Sequence, residues 1–338
     1  MAKEYRIGIV GTGAVGSEML RVLRQRNFPC SEIRFMARSA RREEIAGETL
    51  DVVETNADAF EGLDFAFFAG TEGAKGASQL FGWEAVKRGA IVIDNGDDFR
   101  MDPRVPLVIP EINPEALDDH QGLIANPNCS TIIAMMAIGP LHRAAGIRRI
   151  VAATYQAVSG SGQSAIRELE NQLAAYAKGE TLAAEAYPYP ILLNLLPQIG
   201  GPKPELPGYT TEEAKMLFET RKILGSDQIG VSATCVRVPV FNSHAEALHL
   251  VFEKPLSPEE ARAILAAAPG VQVIDDLASA QFPMPMTSNG QDDCLVGRIR
   301  VDTSVENGLS LFVCGDNIRK GAALNAVQIA ETLIARES

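Results

Sequence analysis

Cysteine is scarce in this sequence, and its five residues are too scattered to form a framework. The set, Cys30, Cys129, Cys235, Cys294 and Cys314, contains no CxxC pair and no cluster with histidine at metal-ligand spacing. An odd number of widely spaced cysteines argues against a disulfide scaffold, and the missing clusters argue against a structural zinc site. We therefore expect a fold that needs neither disulfides nor a metal.

The sequence also has fewer basic than acidic residues, and its apolar runs are short. Lys and Arg total 31 against 43 Asp and Glu, which leaves a net charge of −12. A negative field repels nucleic acid and anionic membranes, so we expect neither as a partner. The apolar run Ser130–Leu141 ends at His142 and is too short to span a bilayer. The first residues show no signal-peptide pattern, so the sequence predicts a cytoplasmic protein.

The chain does have the length and composition of a globular protein, with 46% hydrophobic and 22% charged residues among 338. At about 150 residues per domain, this length predicts two domains. Short apolar runs alternate with helical stretches in the first part of the chain, at residues 5–10, 32–36, 63–69, 90–94, 107–109 and 122–125. Strands that are apolar on both faces are typical of a parallel sheet covered by helices. The pattern predicts an α/β, Rossmann-type doubly wound domain.

After about residue 145 the strand-like runs lengthen and alternate, which is typical of a sheet with one open face. The last helical stretch, Ala322–Arg336, is expected to return to the first domain. The sequence thus predicts a first domain of residues 1–129 plus 321–338 and a second, mixed α+β domain of residues 130–320. The apolar, proline-rich segment Ile191–Pro207 predicts a homodimer or a tetramer, because exposed apolar stretches mark interfaces.

A glycine-rich loop lies between the first apolar run and the first helical stretch. Glycines at this spacing let the backbone approach a pyrophosphate at a helix N-terminus, where free N–H groups favour an anion. Its residues are therefore cofactor-binding candidates: Gly11, Thr12, Gly13, Ala14, Val15 and Gly16. The second strand leads to Arg38 and Ser39, where an acidic residue would suit NAD. Guanidinium and hydroxyl donors suit a 2′-phosphate, so the sequence predicts NADP.

Cys129 directly precedes a helical stretch. A thiol at a helix N-terminus has its thiolate stabilised by the helix dipole and by unpaired N–H groups, which makes it a nucleophile. Cys235 and Cys314 lie inside strand-like runs and are expected to be packing residues. From its own position alone, Cys129 is equally consistent with catalysis and with packing.

Four motifs decide between these roles, because together they resemble the aspartate-β-semialdehyde dehydrogenase family over nearly the whole chain. They are Asn126-Pro-Asn-Cys-Ser-Thr131, Gln156-Ala-Val-Ser-Gly-Ser-Gly162, Ser232-Ala-Thr-Cys-Val-Arg-Val-Pro239 leading to His244, and Asp316-Asn-Ile-Arg-Lys-Gly-Ala-Ala-Leu-Asn-Ala-Val-Gln328. They are similar, in order, to the family's nucleophile motif, its substrate and nicotinamide loop, its base segment and its C-terminal segment. The glycine loop is one residue shorter than the family's usual loop. The resemblance implies a glyceraldehyde-phosphate-dehydrogenase-like fold.

The resemblance also implies a role for each matching residue. Cys129 would be the nucleophile, His244 the acid/base, and Gln156 the residue that orients the substrate. The substrate would be held by Arg100, Asn128, Glu212, Lys215 and Arg237, and the nicotinamide side would be lined by Ser159, Gly160 and Asn317. The implied reaction is the reversible, NADPH-dependent reductive dephosphorylation of L-aspartyl 4-phosphate to L-aspartate 4-semialdehyde and phosphate. It proceeds through a Cys129 thioester and serves lysine, threonine and methionine biosynthesis.

Two alternatives from other classes can be compared with this interpretation. A non-catalytic nucleotide-binding relative should have lost its thiol or its base, but Cys129 and His244 are both present. A reductase for another acyl phosphate, such as N-acetylglutamyl phosphate or a glyceraldehyde-phosphate-type substrate, does not need the set Glu212, Lys215 and Arg237. A carboxylate suits an ammonium group and a guanidinium suits a carboxylate, so this set favours an amino-acid substrate.

Overall fold

The computed structural model describes residues 3–69 and 76–337. The chain divides into two compact units, one of residues 1–128 with 322–338 and one of residues 129–321. Each unit has its own sheet. The predicted fold class, a Rossmann-type sheet domain with a mixed α+β domain, is confirmed.

The first unit contains a largely parallel sheet with helices. Its strands are β1 (Tyr5–Val10), β2 (Cys30–Ala37), β3 (Arg41–Ile45), β4 (Glu48–Glu54), β5 (Phe65–Phe68), β6 (Ile91–Asp94) and β7 (Leu123–Ala125), and its first helices are α1 (Ala14–Gln25) and α2 (Ala77–Lys87). The strand order is β3-β4-β2-β1-β5-β6-β7, and each pairing is parallel except β3–β4. Ile7, Ile9 and Phe67 of the central strands are fully buried, as expected when helices cover both faces.

Two details of the predicted first sheet are wrong. Leu107 forms only an isolated bridge with Ala125, so residues 107–109 are not a strand. The sheet gains instead the β3–β4 hairpin at its edge. The segment Arg41–Ile45 is mostly charged and exposed, as is common for an edge strand, so it carries little of the apolar signal that reveals a central strand.

The second unit contains a mixed sheet with one face covered by helices. Its strands are β8 (Ile147–Gln156), β9 (Gly230–Arg237), β10 (His244–Phe252), β11 (Val271–Val273), β12 (Cys294–Val301) and β13 (Gly308–Gly315). Its helices are α3 (Cys129–Ala145), α4 (Gln163–Lys178), α5 (Thr211–Leu224), α6 (Pro258–Ala266) and α7 (Pro285–Ser288), and the last helix of the chain, α8 (Leu324–Glu337), belongs to the first unit. The strand order is β11-β12-β13-β10-β8-β9. Helices α3 and α5 pack on β10 and β9, respectively.

The opposite face of the second sheet is more open. Tyr155 on β8 is 40% exposed, and its ring contacts Phe312 on β13. Within the described residues, no helix is long and apolar enough to cross a membrane. The same residues contain no group of three or more His, Cys, Asp and Glu side chains placed to hold a metal ion.

Candidate active site

The glycine loop between β1 and α1 requires glycine for two separate reasons. Gly11 has a φ of +112°, in the left-handed region that favours glycine. A Cβ on Gly16 would lie 2.1 Å from the carbonyl oxygen of Gly11, so the helix could not approach the loop. At Gly13, the N-cap of α1, a Cβ would meet nothing within 4 Å, and no side chain caps the helix. An open, uncapped helix N-terminus fits the pyrophosphate of a dinucleotide.

The segment after β2 brings basic side chains to this loop. Arg38 and Ser39 are both exposed. Arg41, at the start of β3, donates hydrogen bonds to Thr12 Oγ1 at 3.0 Å and to the carbonyl oxygen of Ser39 at 3.1 Å. Arg41 is not among the predicted cofactor residues, although it is a basic residue two positions after Ser39. The Arg41 guanidinium also forms an ion pair with Glu43, at 2.7 Å between Nη2 and Oε2.

Arg100 and Asn128 lie in the first unit, and both are buried. Arg100 donates from Nε to the carbonyl oxygen of Asn126 at 2.9 Å and from Nη2 to that of Asn95 at 2.7 Å. Asn95 and Asn126 directly follow β6 and β7. Two backbone carbonyls therefore fix the guanidinium plane at the carboxyl ends of these strands, where ligands bind in open α/β sheets.

A thiol and an imidazole meet in the second unit. Cys129 is the first residue of α3, and its Sγ lies 3.4 Å from Nε2 of His244. His244 is the first residue of β10. The strand starts immediately after Ser243, which adopts a left-handed φ of +73°.

The backbone N–H of Ala157 donates to Nδ1 of His244 at 3.0 Å. In the neutral imidazole the proton is therefore on Nε2, directed towards the sulfur. Complete burial lowers the pKa of His244 well below its ordinary value, and the charge of Arg237 lowers it further. His244 is therefore neutral, and it can donate a hydrogen bond to a Cys129 thiolate at the N-terminus of α3.

Strand register places three predicted residues side by side. Gln156 on β8 pairs with Arg237 on β9, and the pairing of Tyr155 with Ala245 puts Gln156 opposite His244. We call His244, Gln156 and Arg237 the front row. The order β10-β8-β9 is not readable from the chain, because the three strands come from separate segments.

Arg237 is held as a buried cation with donor capacity to spare. Its Nη1 donates to the carbonyl oxygen of Ala157 at 2.7 Å, and its backbone exchanges two hydrogen bonds with Leu196. Among the described residues its buried Nε has no hydrogen-bond partner. A buried N–H without an acceptor is costly, so this arrangement fits an anionic ligand group such as a carboxylate.

Glu212 and Lys215 lie on one face of α5. The helix starts at a capping box in which Thr210 and Glu213 satisfy each other's backbone N–H groups. Glu212 Oε1 accepts a hydrogen bond from Nε2 of Gln156 at 3.0 Å, and Glu212 Oε2 lies 3.7 Å from Lys215 Nζ. Glu212 is therefore hydrogen-bonded to Gln156 of the front row, and Lys215 lies beside Glu212.

Ser159, Gly160 and Asn317 are also brought together. Ser159 Oγ donates to Asn242 Oδ1 at 2.9 Å and accepts from Asn317 Nδ2 at 3.0 Å. Asn317 Oδ1 accepts from the backbone N–H of Ser243 at 3.0 Å, beside His244. A Cβ on Gly160 would lie 3.0 Å from Arg237 Nη1 and 3.2 Å from His244 Nε2. Asn242 was missed by the motif comparison, although it lies two residues before the predicted base.

The other thiols of the second unit are not activated in the way that Cys129 is by a helix N-terminus and an imidazole. Cys235, Cys294 and Cys314 are buried. Burial raises the pKa of Cys235 and of Cys314 above the ordinary thiol value. A buried thiol that holds its proton is a poor nucleophile. Packing is therefore the role that the structure supports for these residues.

Known proteins resemble this chain along its full length. Residues 6–120 match the family model "Semialdehyde dehydrogenase, NAD binding domain", and residues 138–320 match "Semialdehyde dehydrogenase, dimerisation domain". The aspartate-semialdehyde dehydrogenase of Synechocystis sp. is 48% identical over 99% of both chains, and that of Aquifex aeolicus is 48% identical over 98% of both. The crystal structure of aspartate semialdehyde dehydrogenase II complexed with ASA from Vibrio cholerae superposes with a TM-score of 0.92, at 40% identity and 99% coverage of both chains.

Proposed function

Because the chain belongs to the aspartate-semialdehyde dehydrogenase family, we propose that it catalyses the reductive dephosphorylation of L-aspartyl 4-phosphate to L-aspartate 4-semialdehyde. This reaction serves lysine, threonine and methionine biosynthesis, and we place it in the cytoplasm. The observation that carries the proposal is the contact of 3.4 Å between Cys129 Sγ and His244 Nε2 at the start of α3. A nucleophile beside a hydrogen-bonding imidazole is what acyl transfer from a phosphate requires.

In the proposed mechanism the Cys129 thiolate attacks the acyl carbonyl carbon. The oxyanion that forms collapses, the carbon–oxygen bond to phosphate breaks, and a Cys129 thioester results. His244 is the acid/base residue, and its Nε2–H stabilises the oxyanion at the reacting carbon. NADPH, when bound, supplies the hydride that reduces the thioester. Cleavage of the carbon–sulfur bond then releases the semialdehyde and restores the thiolate.

The substrate's charged groups match the charged residues of the site. The spare donors of Arg237 suit the α-carboxylate, and Glu212 suits the ammonium group. Arg100 and Lys215 are the proposed phosphate ligands, and Asn128 is a further substrate contact. Gln156 orients the acyl group for hydride transfer. Ser159, Gly160 and Asn317 would line the nicotinamide.

The proposed cofactor is NADP rather than NAD. The glycine loop supplies backbone N–H groups for the pyrophosphate, and Arg38 and Ser39 supply donors for the 2′-phosphate. The contact of Arg41 with Thr12 adds a second guanidinium at the same loop. A charge-assisted hydrogen bond contributes about 1.5–3 kcal/mol, so such donors are sufficient to set a preference.

We further propose a homodimer formed through the second unit. Residues 138–320 match a family model described as a dimerisation domain. In the proline-rich segment, Leu193 is 71% exposed and Leu195 is 58% exposed, although Ile191 beside them is buried. Exposed apolar side chains on an ordered segment favour an interface. Sedimentation should show a dimer at micromolar concentration; a tetramer would extend the proposal, and a monomer would refute it.

Trapping the covalent intermediate tests the proposed function. The protein is incubated with L-aspartate 4-semialdehyde and NADP without phosphate, so that the thioester forms but cannot be cleaved by phosphate. Mass spectrometry of the digested protein should then show an aspartyl adduct on Cys129. Cys235→Ala is the matched control and should still form the adduct. An adduct on any other cysteine, or turnover in Cys129→Ala, would contradict the assignment.

A further inference from the structure

We propose that Thr154 is a positioning residue of the active site, and that its hydroxyl fixes the side-chain amide of Gln156 in one orientation. The inference rests on the proposed function, because it concerns the residue that orients the acyl group. Thr154 lies outside the motifs that the sequence comparison singled out. Its position in the sheet is what connects it to the reaction.

A second row of side chains lies directly behind the front row. Thr154 pairs with Glu246 on β10 and with Cys235 on β9. Alternate residues of a strand point to the same face of the sheet, so Thr154 shares its face with Gln156. Thr154 and Glu246 have no exposed surface. The hydroxyl of Thr154 is therefore shielded from solvent and must find its partner inside the protein.

That partner is the amide of Gln156. Thr154 Oγ1 donates to Gln156 Oε1 at 2.9 Å, and Gln156 Nε2 donates to Glu212 Oε1 at 3.0 Å. A carboxylate can only accept hydrogen bonds, so the amide nitrogen must face Glu212 and the amide oxygen must face Thr154. The two contacts specify the same orientation from opposite ends of the amide.

The neighbouring acid does not take the hydroxyl proton. Both carboxyl oxygens of Glu246 are buried, and they have no hydrogen-bond partner among the described residues. The Thr154 proton is thus directed along its own strand to Gln156 rather than across the sheet to Glu246. The same hydroxyl also has a hydrogen-bond contact with the thiol of Cys235 on β9, from which its oxygen can accept.

The fixed amide determines what Gln156 can offer to the substrate. With one Nε2–H donated to Glu212 and the oxygen engaged by Thr154, the second Nε2–H is the remaining donor. A donor recognises the carbonyl oxygen of an acyl phosphate or of a thioester. Loss of the Thr154 hydroxyl leaves the buried oxygen of Gln156 without its donor, so the contact with Glu212 alone holds the amide. The amide then becomes more mobile, and its second N–H is directed less precisely at the substrate.

Thr154→Val removes the hydroxyl and keeps the branched shape, whereas Thr154→Ser keeps the hydroxyl. In the reverse reaction with L-aspartate 4-semialdehyde, phosphate and NADP, we expect Thr154→Val to lower kcat/KM for the semialdehyde about tenfold to a hundredfold. The KM for NADP should stay the same, and Thr154→Ser should stay within about threefold of the wild type. Thr49→Val, at an exposed site on β4, is the matched control and should leave kcat/KM unchanged.

An activity-independent readout separates this inference from the proposed function. In the wild type and in Thr154→Ser, the Gln156 side-chain amide should show slow proton exchange by NMR, and in Thr154→Val the exchange should become faster. If the wild type does not oxidise the semialdehyde, the proposed function fails and the NMR result alone decides the role of Thr154. The inference is overturned if Thr154→Val keeps both kcat/KM and slow exchange, or if Thr154→Ser fails to restore them.

Discussion

Replacing Glu246 by glutamine should make the protein progressively more stable relative to the wild type as the pH rises. Glu246 is completely buried on β10, and neither carboxyl oxygen has a hydrogen-bond partner among the described residues. Burial, and secondarily the charge of Glu212, raise the pKa of Glu246 well above its ordinary value. The folded protein therefore keeps a proton on Glu246 at a pH where the unfolded chain has released it.

The sign and size of the effect follow from proton linkage. Above the unfolded carboxyl pKa of about 4.3, the folded state binds more protons than the unfolded state, so stability falls with rising pH. The loss from Glu246 is about 1.4 kcal/mol per pH unit until its folded pKa is reached. Glutamine has nearly the same shape and does not titrate, so Glu246→Gln lacks this loss. The stability of the variant relative to the wild type should therefore rise with pH above about 4.3, by about 1.4 kcal/mol per pH unit.

Denaturant unfolding between about pH 5 and pH 8 measures this difference. Glu260→Gln is the matched control, because the pKa of Glu260 is lowered by its hydrogen bonds to Ser257 in the α6 capping box. Its stabilising contribution is present above the unfolded pKa and is lost only as pH falls through the folded value, so its effect should be constant over this range. A difference between Glu246→Gln and the wild type that does not grow with pH would refute the reasoning.

Three further predictions concern the candidate site. Arg41→Ala should raise the KM for NADPH about tenfold in steady-state assays, with little change for NADH, because the proposed contact with the 2′-phosphate would be lost; an equal change for both cofactors would count against it. Gly160→Ala should lower kcat/KM about tenfold, because its Cβ would press on Arg237 and His244; unchanged kinetics would show that the site adapts. His244→Ala should lower kcat by about 10²–10⁴ while NADPH still binds in a calorimetric titration.

The local part of the site was predictable from the chain. The glycine loop works through backbone shape and a helix N-terminus, which consecutive residues determine by themselves. The proposed nucleophile, Cys129, is similarly defined by its place at the start of α3. The motifs carried the resemblance because catalysis needs particular residue types at particular short spacings.

Tertiary structure alone decided which distant side chains face one another. Register between β10, β8 and β9 sets His244 beside Gln156 and Arg237, and it sets Thr154 behind them. No periodicity in the sequence specifies strand order, because pairing depends on packing between segments far apart in the chain. The charged hairpin at Arg41 was missed for the same reason: an edge strand is stabilised by its pairing with β4 rather than by an apolar pattern of its own.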